Sequence, residues 1–121
     1  MKNKYNLSNS FFEKAKTVIP LGSQTFSKSI IQYPKGVSPL FIDRGKGSKV
    51  WDIDGNQYID LVSGLLPVVL GYQDPDVDKA IKDQLAKGIT FSLPTMLETK
   101  LAEKLTSLIP CAEMVRFGKN G

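Results

Sequence analysis

Two polar stretches contain residue types with which this chain could bind a small anionic ligand. The first runs from Gly22 to Ser29 and combines hydroxyls, an amide and the ammonium group of Lys28, a mixture that can receive a carboxylate or a sugar. The second is the ending Lys119-Asn120-Gly121, which follows a short apolar run. Backbone N–H groups in such a turn can bind a phosphate. A flexible surface arm and an ordinary turn are the alternatives, and both stay open at this point.

Several kinds of catalytic and metal site are excluded within this chain by its composition. It has no histidine and one cysteine, Cys111, which removes a Ser-His-Asp triad, a Cys-His pair and an intrachain disulfide. We expect Cys111 to be a small buried residue. The carboxylates of Asp52, Asp54 and Asp60 lack the glutamate that completes a calcium loop, so no metal site is predicted. Turn chemistry is expected for Asp54, and solvated strand faces for the other two.

Charge and hydropathy favour an ordinary globular surface. The net charge is +4, and the lysines are scattered rather than clustered, which does not indicate nucleic-acid binding. The longest apolar run, residues 65–70, contains Pro67 and is too short to span a bilayer. The N-terminus has no secretory signal. We therefore expect a cytoplasmic protein with no membrane partner.

The elements that must position the two polar stretches begin with a helix and a sheet. Ser10 and Glu13 fit a capping box, which predicts a helix that starts at Ser10 and ends at Pro20. Residues 21–35, called the arm below, show no period. Apolar alternation predicts strands at 40–42, 49–53 and 57–62, and Asp54-Gly55-Asn56 predicts a hairpin turn between the last two. These strands should form a three-stranded antiparallel meander.

Two further helices and a strand complete the pattern. Asp74 and Pro75 are typical of a helix start, and Gly88 of its end. Thr95 and Glu98 form a second capping box, which predicts a helix up to Pro110, and a final strand should follow it. The apolar stripes of these helices exceed what the chain can bury by itself, so we expect exposed apolar patches and association. The segments are 1–38, 39–66, 67–110 and 111–121.

Taken in order, these pieces resemble the N-terminal part of class III, pyridoxal-phosphate-dependent aminotransferases, and most of all the glutamate-1-semialdehyde aminomutase branch. The resemblance is carried by IPLG (19–22), PLFIDRGKG (39–47), VWDIDGNQYID (50–60), PVVLGY (67–72), FSLPT (91–95) and EMVRF (113–117). It covers nearly the whole chain.

The resemblance implies a fold-type-I α/β enzyme that is normally a homodimer several times longer than this chain. The piece itself would be α+β: a helix, the antiparallel meander and two helices that lead into the parallel sheet of a large domain. Its cofactor would be pyridoxal 5'-phosphate, and its partners a small-molecule amino donor and acceptor.

The resemblance also implies roles for individual residues. Asn120 and Gly121 occupy the Ser-Gly positions of the cofactor's phosphate cup, and the cup's threonine would come just after them. Thr25 matches a substrate-contacting serine, and Lys28 stands where the semialdehyde enzymes carry an arginine that grips a carboxylate. Lysine keeps that charge but loses the two-pronged geometry. The Schiff-base lysine lies far downstream in the family, so no residue here is assigned as catalytic and the piece alone should be inactive.

Departures from the family pattern leave the substrate open. Lys28 replaces the arginine, Gly64 or Leu65 replaces an aromatic residue, and Lys119 replaces an asparagine. A related aminotransferase that acts on another amino or keto substrate, including a sugar, is as consistent as the aminomutase. The alternative is a non-catalytic module of this fold that only dimerises or binds a partner.

Overall fold

The structure, a computed structural model, describes residues 4–118. The chain divides into two compact units between Lys79 and Ala80, and each unit is described by itself. In chain order the elements are α1 (Asn6–Ala15), 3-10 turns at Pro20–Gly22 and Phe26–Lys28, β1 (Ile42–Lys46), β2 (Lys49–Asp52), β3 (Gln57–Ile59), α2 (Pro75–Leu85) and α3 (Met96–Leu108).

The three strands form one antiparallel sheet in the order β1-β2-β3, which confirms the predicted meander. Gly55, with a φ of 85°, lies in the predicted turn between β2 and β3. The strand bounds differ from those predicted: β1 extends through Gly45 and Lys46, and β3 ends at Ile59. Gly45 pairs with Val50 in the ladder, and the Tyr72 ring packs on it, 2.5 Å from where a Cβ would stand.

The first unit has a small core with a buried carboxylate beside it. The buried apolar side chains come from α1 and its N-terminal flank and from β2: Tyr5, Phe12, Ala15 and Val50. Asp52 is only 1% exposed, so the prediction of a solvated face for this residue is wrong. Its carboxylate accepts hydrogen bonds from the backbone N–H of Asn56 (2.7 Å), from Asn56 Nδ2 (2.9 Å) and from the Tyr58 hydroxyl (2.9 Å). These donors replace water, which makes burial of the charge possible.

The start of α1 also differs from the prediction. The helix begins at Asn6, so Ser10 lies inside it and does not cap it. Regular helix ends at Ala15, followed by turns as far as the 3-10 turn that begins at Pro20. The carboxylate of Asp54, which is distant in sequence, accepts N–H groups at the start of the helix.

The helix starts at α2 and α3 follow the predicted local chemistry. Asp74 Oδ1 accepts hydrogen bonds from the N–H groups of Asp76 and Val77, both at 3.1 Å. Glu98 Oε1 accepts one from the Thr95 N–H at 3.0 Å, which confirms the second capping box.

The apolar side chains of α2 and α3 are mostly exposed, as the excess of apolar stripes predicts. Neither helix has a buried residue, and all of their large apolar side chains except Leu105 are 43–74% exposed: Val77, Ile81, Leu85, Met96, Leu97, Leu101 and Leu108. One prediction for the C-terminal stretch is wrong, because Cys111 is exposed rather than buried. Residues 114–118 pair with no other described residue as a strand, and the predicted final strand stays a prediction.

Candidate functional site

Thr25 and Lys28, the two predicted substrate residues, are brought together by one tight turn of the arm. Thr25 precedes the 3-10 turn Phe26–Lys28, and its carbonyl accepts a 3.1 Å hydrogen bond from the Lys28 N–H. Both side chains are exposed. Lys28 forms no ion pair with any acidic side chain in the described part of the chain. Its ammonium group is therefore available to an anionic ligand.

The turn is stabilised from within the arm by Ser29. This residue is 1% exposed, and its hydroxyl donates a 2.8 Å hydrogen bond to the carbonyl of Phe26. A buried hydroxyl that bonds a backbone carbonyl restricts the conformations open to the turn. The sequence analysis grouped Ser29 with the other hydroxyls of this stretch and did not distinguish it.

One end of the arm is packed directly on α1 at Gly22. The backbone of Gly22 approaches the Phe12 ring so closely that a Cβ would lie 2.6 Å from Phe12 Cε2. Gly22 also has a φ of 68°, which favours glycine. Only a residue without a side chain fits here, and the start of the arm is thereby placed against a buried ring.

The other end of the arm is held on the same helix at Lys35. Its Nζ lies 2.7 Å from Glu13 Oε1 and 5.6 Å from the centroid of the Phe12 ring. Hydrogen bonds from Lys16, the larger cause, and from Lys35 lower the pKa of the Glu13 carboxyl to about 2. Each exposed ion pair contributes little stability by itself. Together with Gly22, however, Lys35 places both ends of the arm on one side of α1.

The helix α1 is in turn attached to the hairpin turn of the sheet by Asp54. Asp54 Oδ1 accepts a 2.6 Å hydrogen bond from the Leu7 N–H, and Oδ2 accepts one of 2.9 Å from the Ser8 N–H. The Ser8 hydroxyl donates a further bond to Oδ2, and Ser8 is fully buried. A carboxylate 46 residues away along the chain thus takes the place of an N-cap side chain.

The electrostatics of Asp54 agree with this role. Burial raises the pKa of its carboxyl, but the hydrogen bonds from the Ser8 hydroxyl and from the N–H groups of Ser8 and Leu7 outweigh burial and lower the pKa below its ordinary value of 3.8. The positive end of the helix dipole favours the same charged form.

A second feature of the first unit is a strained segment at residues 63–66. Ser63, Leu65 and Leu66 all have positive φ, at 51°, 69° and 80°, as does the intervening Gly64 at 63°. Leucine adopts this conformation at a cost, and strain of this kind persists where surrounding contacts impose it. The segment includes Gly64 and Leu65, one of which was expected to replace an aromatic residue of the resembled family, and Leu65 is 49% exposed.

Asp60 and Tyr72 hold the start of this segment. Asp60 Oδ1 accepts hydrogen bonds from the N–H groups of Val62 (2.9 Å) and Ser63 (3.1 Å), and Oδ2 accepts one from the Tyr72 hydroxyl (2.6 Å). The Tyr72 bond lowers the pKa of the Asp60 carboxyl and raises that of the Tyr72 hydroxyl. The prediction that Asp60 lies on a solvated face is therefore wrong. A cavity of about 220 Å³ lies beside this cluster.

The comparisons with known proteins now decide the family. The Aminotransferase class-III family matches residues 31–121, which is most of the chain. The chain belongs to the class III aminotransferase family. This match confirms the sequence-based family assignment, and it contains five of the six motifs; IPLG at 19–22 lies before it.

Individual relatives place the chain within that family. It is 45% identical over 114 residues to a glutamate-1-semialdehyde 2,1-aminomutase 2 of Exiguobacterium sp., with 94% of this chain and 26% of that protein covered. It is 40% identical over 121 residues to a 3-aminobutyryl-CoA aminotransferase of Cloacimonas acidaminovorans, with 99% and 29% covered. The chain thus spans between a quarter and a third of the length of these curated relatives.

A solved structure confirms the fold. The FumI protein of Sphingopyxis sp. MTA144, in its PLP internal aldimine form, superposes with a TM-score of 0.85 at 30% identity, over 94% of this chain and 27% of that one. The described residues have the architecture of the N-terminal region of the PLP-dependent transaminase fold. Family and neighbour together indicate pyridoxal phosphate as the cofactor.

Neither of two cavities among the described residues contains the predicted cofactor residues. The 220 Å³ cavity is lined by the Asp60 carboxylate and by no basic side chain. A second cavity, of about 380 Å³ in the other unit, is lined by Arg116 together with Glu98. The predicted cofactor residues, Asn120 and Gly121, lie outside the described residues.

The geometry that sequence reasoning missed is the support of the arm. Gly22, Lys35 and Asp54 make contacts with residues 10 to 47 positions away, and local sequence spacing does not predict such contacts.

Of the helices within residues 4–118, none is both long and apolar enough to cross a bilayer.

Proposed function

We propose that this chain forms the N-terminal part of a pyridoxal-phosphate-dependent aminotransferase or aminomutase that transfers an amino group on a glutamate-1-semialdehyde-like or other amino or keto substrate. One observation supports the proposal beyond family membership. The arm exposes the ammonium group of Lys28, which has no acidic partner among the described residues. Both ends of the arm contact α1, so the turn that contains Lys28 is held between two contact points. A fixed cation of this kind suits recognition of an anionic substrate group.

Thr25 and Lys28 are proposed as the substrate-binding residues. The ammonium of Lys28 would bind a carboxylate or phosphate of the substrate as a point charge, without the bidentate geometry of an arginine. The Thr25 hydroxyl, on the same turn, would donate a second hydrogen bond. The two curated relatives are named for different substrates, a semialdehyde and a CoA ester, so the acceptor is left as an anionic amino or keto compound.

Asn120 and Gly121 are proposed to contribute backbone N–H groups to the cofactor phosphate. Pyridoxal phosphate supplies the electron sink for amino transfer when it is bound. We assign no lysine of this chain as the one that forms the Schiff base with the cofactor. We therefore propose that the 121-residue chain is inactive without the rest of the enzyme. A homodimer is proposed as the working assembly.

The proposal is tested on the protein that the complete reading frame encodes. The purified protein is scanned for the visible absorption of a lysine-bound cofactor, and amino donors are then added one at a time. We expect a visible band that shifts with a donor. A folded product of the complete reading frame with no visible band, even after incubation with pyridoxal phosphate, would refute the enzyme assignment.

The role of Lys28 is tested by charge. Lys28→Ala should lower kcat/KM for an anionic substrate about 10- to 100-fold, because a hydrogen bond to a charged group contributes about 1.5–3 kcal/mol. Lys28→Arg should keep most of the activity. Lys87→Ala removes an exposed lysine after α2 and serves as the matched control. Equal effects of Lys28→Ala and Lys87→Ala would contradict the assignment.

The exposed apolar faces of α2 and α3 favour a second candidate, a non-catalytic dimerisation or partner-binding module. It predicts a stable complex without cofactor or amino-transfer activity. The absorption scan separates the two candidates, since only the enzyme holds the cofactor.

A further inference from the structure

We propose that Asp54 is a positioning residue for the substrate arm: by holding the start of α1 on the hairpin turn, its carboxylate sets where Thr25 and Lys28 stand. The proposal rests on the proposed function of those two residues. Asp54 would affect the arm indirectly, because it holds α1 and α1 in turn contacts both ends of the arm.

The first step is the attachment of α1 to the sheet. The two Asp54 oxygens accept the N–H groups of Leu7 and Ser8 separately, and the Ser8 hydroxyl adds a third bond. On the other side of the same turn, Asn56 Nδ2 donates a 3.0 Å hydrogen bond to the carbonyl of Lys4. The turn therefore holds the chain on both sides of the helix start.

Further along α1, an aromatic contact fixes the direction of the helix. The rings of Phe11 and Phe41 meet edge to face, with centroids 5.1 Å apart and planes at 84°. Phe41 comes directly before β1. Together with Asp54, this contact attaches α1 to the sheet region at two separate points.

The second step is the attachment of the arm to α1. The Phe12 ring contacts both ends of the arm. The backbone of Gly22 packs against the ring at one end, and the Lys35 ammonium lies 5.6 Å from the ring centroid at the other. Lys35 also pairs with Glu13. Because both ends of the arm contact adjacent residues of α1, a shift of α1 moves the arm with it.

The two steps together place Lys28 at the end of a continuous series of contacts that begins at Asp54. Asp54 does not need to touch the substrate to affect binding. Its loss should loosen the start of α1, widen the range of positions that Lys28 samples and weaken binding of the anionic group. The reacting atoms are held by other residues, so the chemical step should change little.

The substitution Asp54→Asn tests this geometry with little change of shape. One carboxylate oxygen becomes an NH2 group, which is a donor and cannot accept the N–H that the oxygen accepted. Asp43→Asn is the matched control, because Asp43 is an exposed carboxylate in β1 whose only described partner is the neighbouring Arg44. Ser8→Ala, which removes only the hydroxyl donor, is a second and milder variant should Asp54→Asn fold poorly.

The first readout is kinetic, on cofactor-loaded complete enzyme. Asp54→Asn should raise KM for the anionic substrate about fivefold or more with kcat nearly unchanged, while Asp43→Asn should change neither. In a Lys28→Ala background, Asp54→Asn should have a smaller further effect on KM than in the unsubstituted enzyme, because only the Thr25 contact is left for it to position. Additive effects of the two substitutions would overturn the proposal.

The second readout does not depend on activity. Hydrogen exchange is measured at the amides of Lys28 and Ser29, which donate to the carbonyls of Thr25 and Phe26 at 3.1 and 3.0 Å. In Asp54→Asn and, to a smaller extent, in Ser8→Ala, these amides should exchange several-fold faster, while the amide of Ile109, which follows α3 and donates to the Leu105 carbonyl, should not change.

The two readouts distinguish failure of the inference from failure of the proposed function. Faster arm exchange in a protein without amino-transfer activity would leave Asp54 as the positioning residue and remove the substrate role of the arm. An active enzyme whose KM and arm exchange are both unaffected by Asp54→Asn would refute the positioning role alone.

Discussion

The Tyr72 hydroxyl donates a 2.6 Å hydrogen bond to Oδ2 of Asp60, which joins the two ends of the loop that follows β3. The backbones of Tyr72 and Gly47 also pair in both directions, at 2.8 and 2.9 Å. The loop is thus closed at its base, and it contains the positive φ angles at residues 63–66.

Tyr72→Phe removes this closing bond and should destabilise the protein by about 1–2 kcal/mol, because the part-buried Asp60 oxygen loses a donor. Urea unfolding of the complete protein measures the change. Tyr33→Phe is the matched control, since the Tyr33 hydroxyl has no hydrogen-bond partner within residues 4–118. Equal stabilities of the two variants would show that the 2.6 Å bond contributes nothing net.

Gly22→Ala should destabilise the protein by about 2–4 kcal/mol, since the added methyl must both displace the Phe12 ring and adopt a positive φ. Gly36→Ala separates the two effects. Gly36 has a φ of 87° with nothing within 4 Å of its added Cβ, so it carries only the conformational cost of about 1 kcal/mol. Thermal or urea unfolding checks the order, and a Gly36→Ala effect as large as that of Gly22→Ala would contradict the packing argument.

The stabilisation supplied by Asp54 should disappear in acid. Because its folded-state pKa lies below the ordinary value of 3.8, the bonded carboxylate stabilises the folded state fully at pH values well above 3.8. That contribution is lost as the pH falls through the lower, folded-state pKa.

The gap in unfolding free energy between the natural protein and Asp54→Asn should therefore be about 1–3 kcal/mol near neutral pH and should narrow as the pH falls below 3.8. Urea titrations at several pH values measure it. A gap that stays constant or widens in acid would mean that the charged form of Asp54 is not the stabilising one.

The exposed leucines of α3 should make the 121-residue polypeptide self-associate. Leu97 and Leu101 are 54% and 51% exposed on one stripe of the helix. Replacing both by lysine should lower the concentration-dependent mass measured by sedimentation, because apolar burial drives association. Ser107→Lys adds a charge to the same helix outside the stripe and should leave the mass unchanged; an equal effect would point to net charge instead.

Much of the fold follows from signals within a few residues. The turn at Asp54-Gly55-Asn56, the Asp74 start of α2 and the Thr95–Glu98 box of α3 all form as predicted. Each depends on a side chain that bonds backbone two or three residues away, or on a glycine that tolerates positive φ. The ordered motifs likewise sufficed to identify the family.

The sequence predicted only part of the candidate site. The sequence placed Thr25 and Lys28 in an arm, and the structure adds that one turn holds both. That Lys28 has no acidic partner within residues 4–118 could not be predicted, because a lysine pairs with whatever carboxylate the fold brings near. Lys35, which looks alike in sequence, pairs with Glu13 across 22 residues.

The sequence by itself determined the meander, the starts of α2 and α3 and the family, because these depend on chemistry between near neighbours or on motif order. Only the tertiary structure decided where α1 begins. The Ser10–Glu13 pattern predicts a local cap, but the helix starts at Asn6 because Asp54 accepts its first N–H groups. The burial of Asp52 was decided in the same way, by donors that the folded hairpin supplies. A capping or buried carboxylate is stabilised by whichever donors the fold brings within hydrogen-bond distance, and sequence spacing does not report that distance.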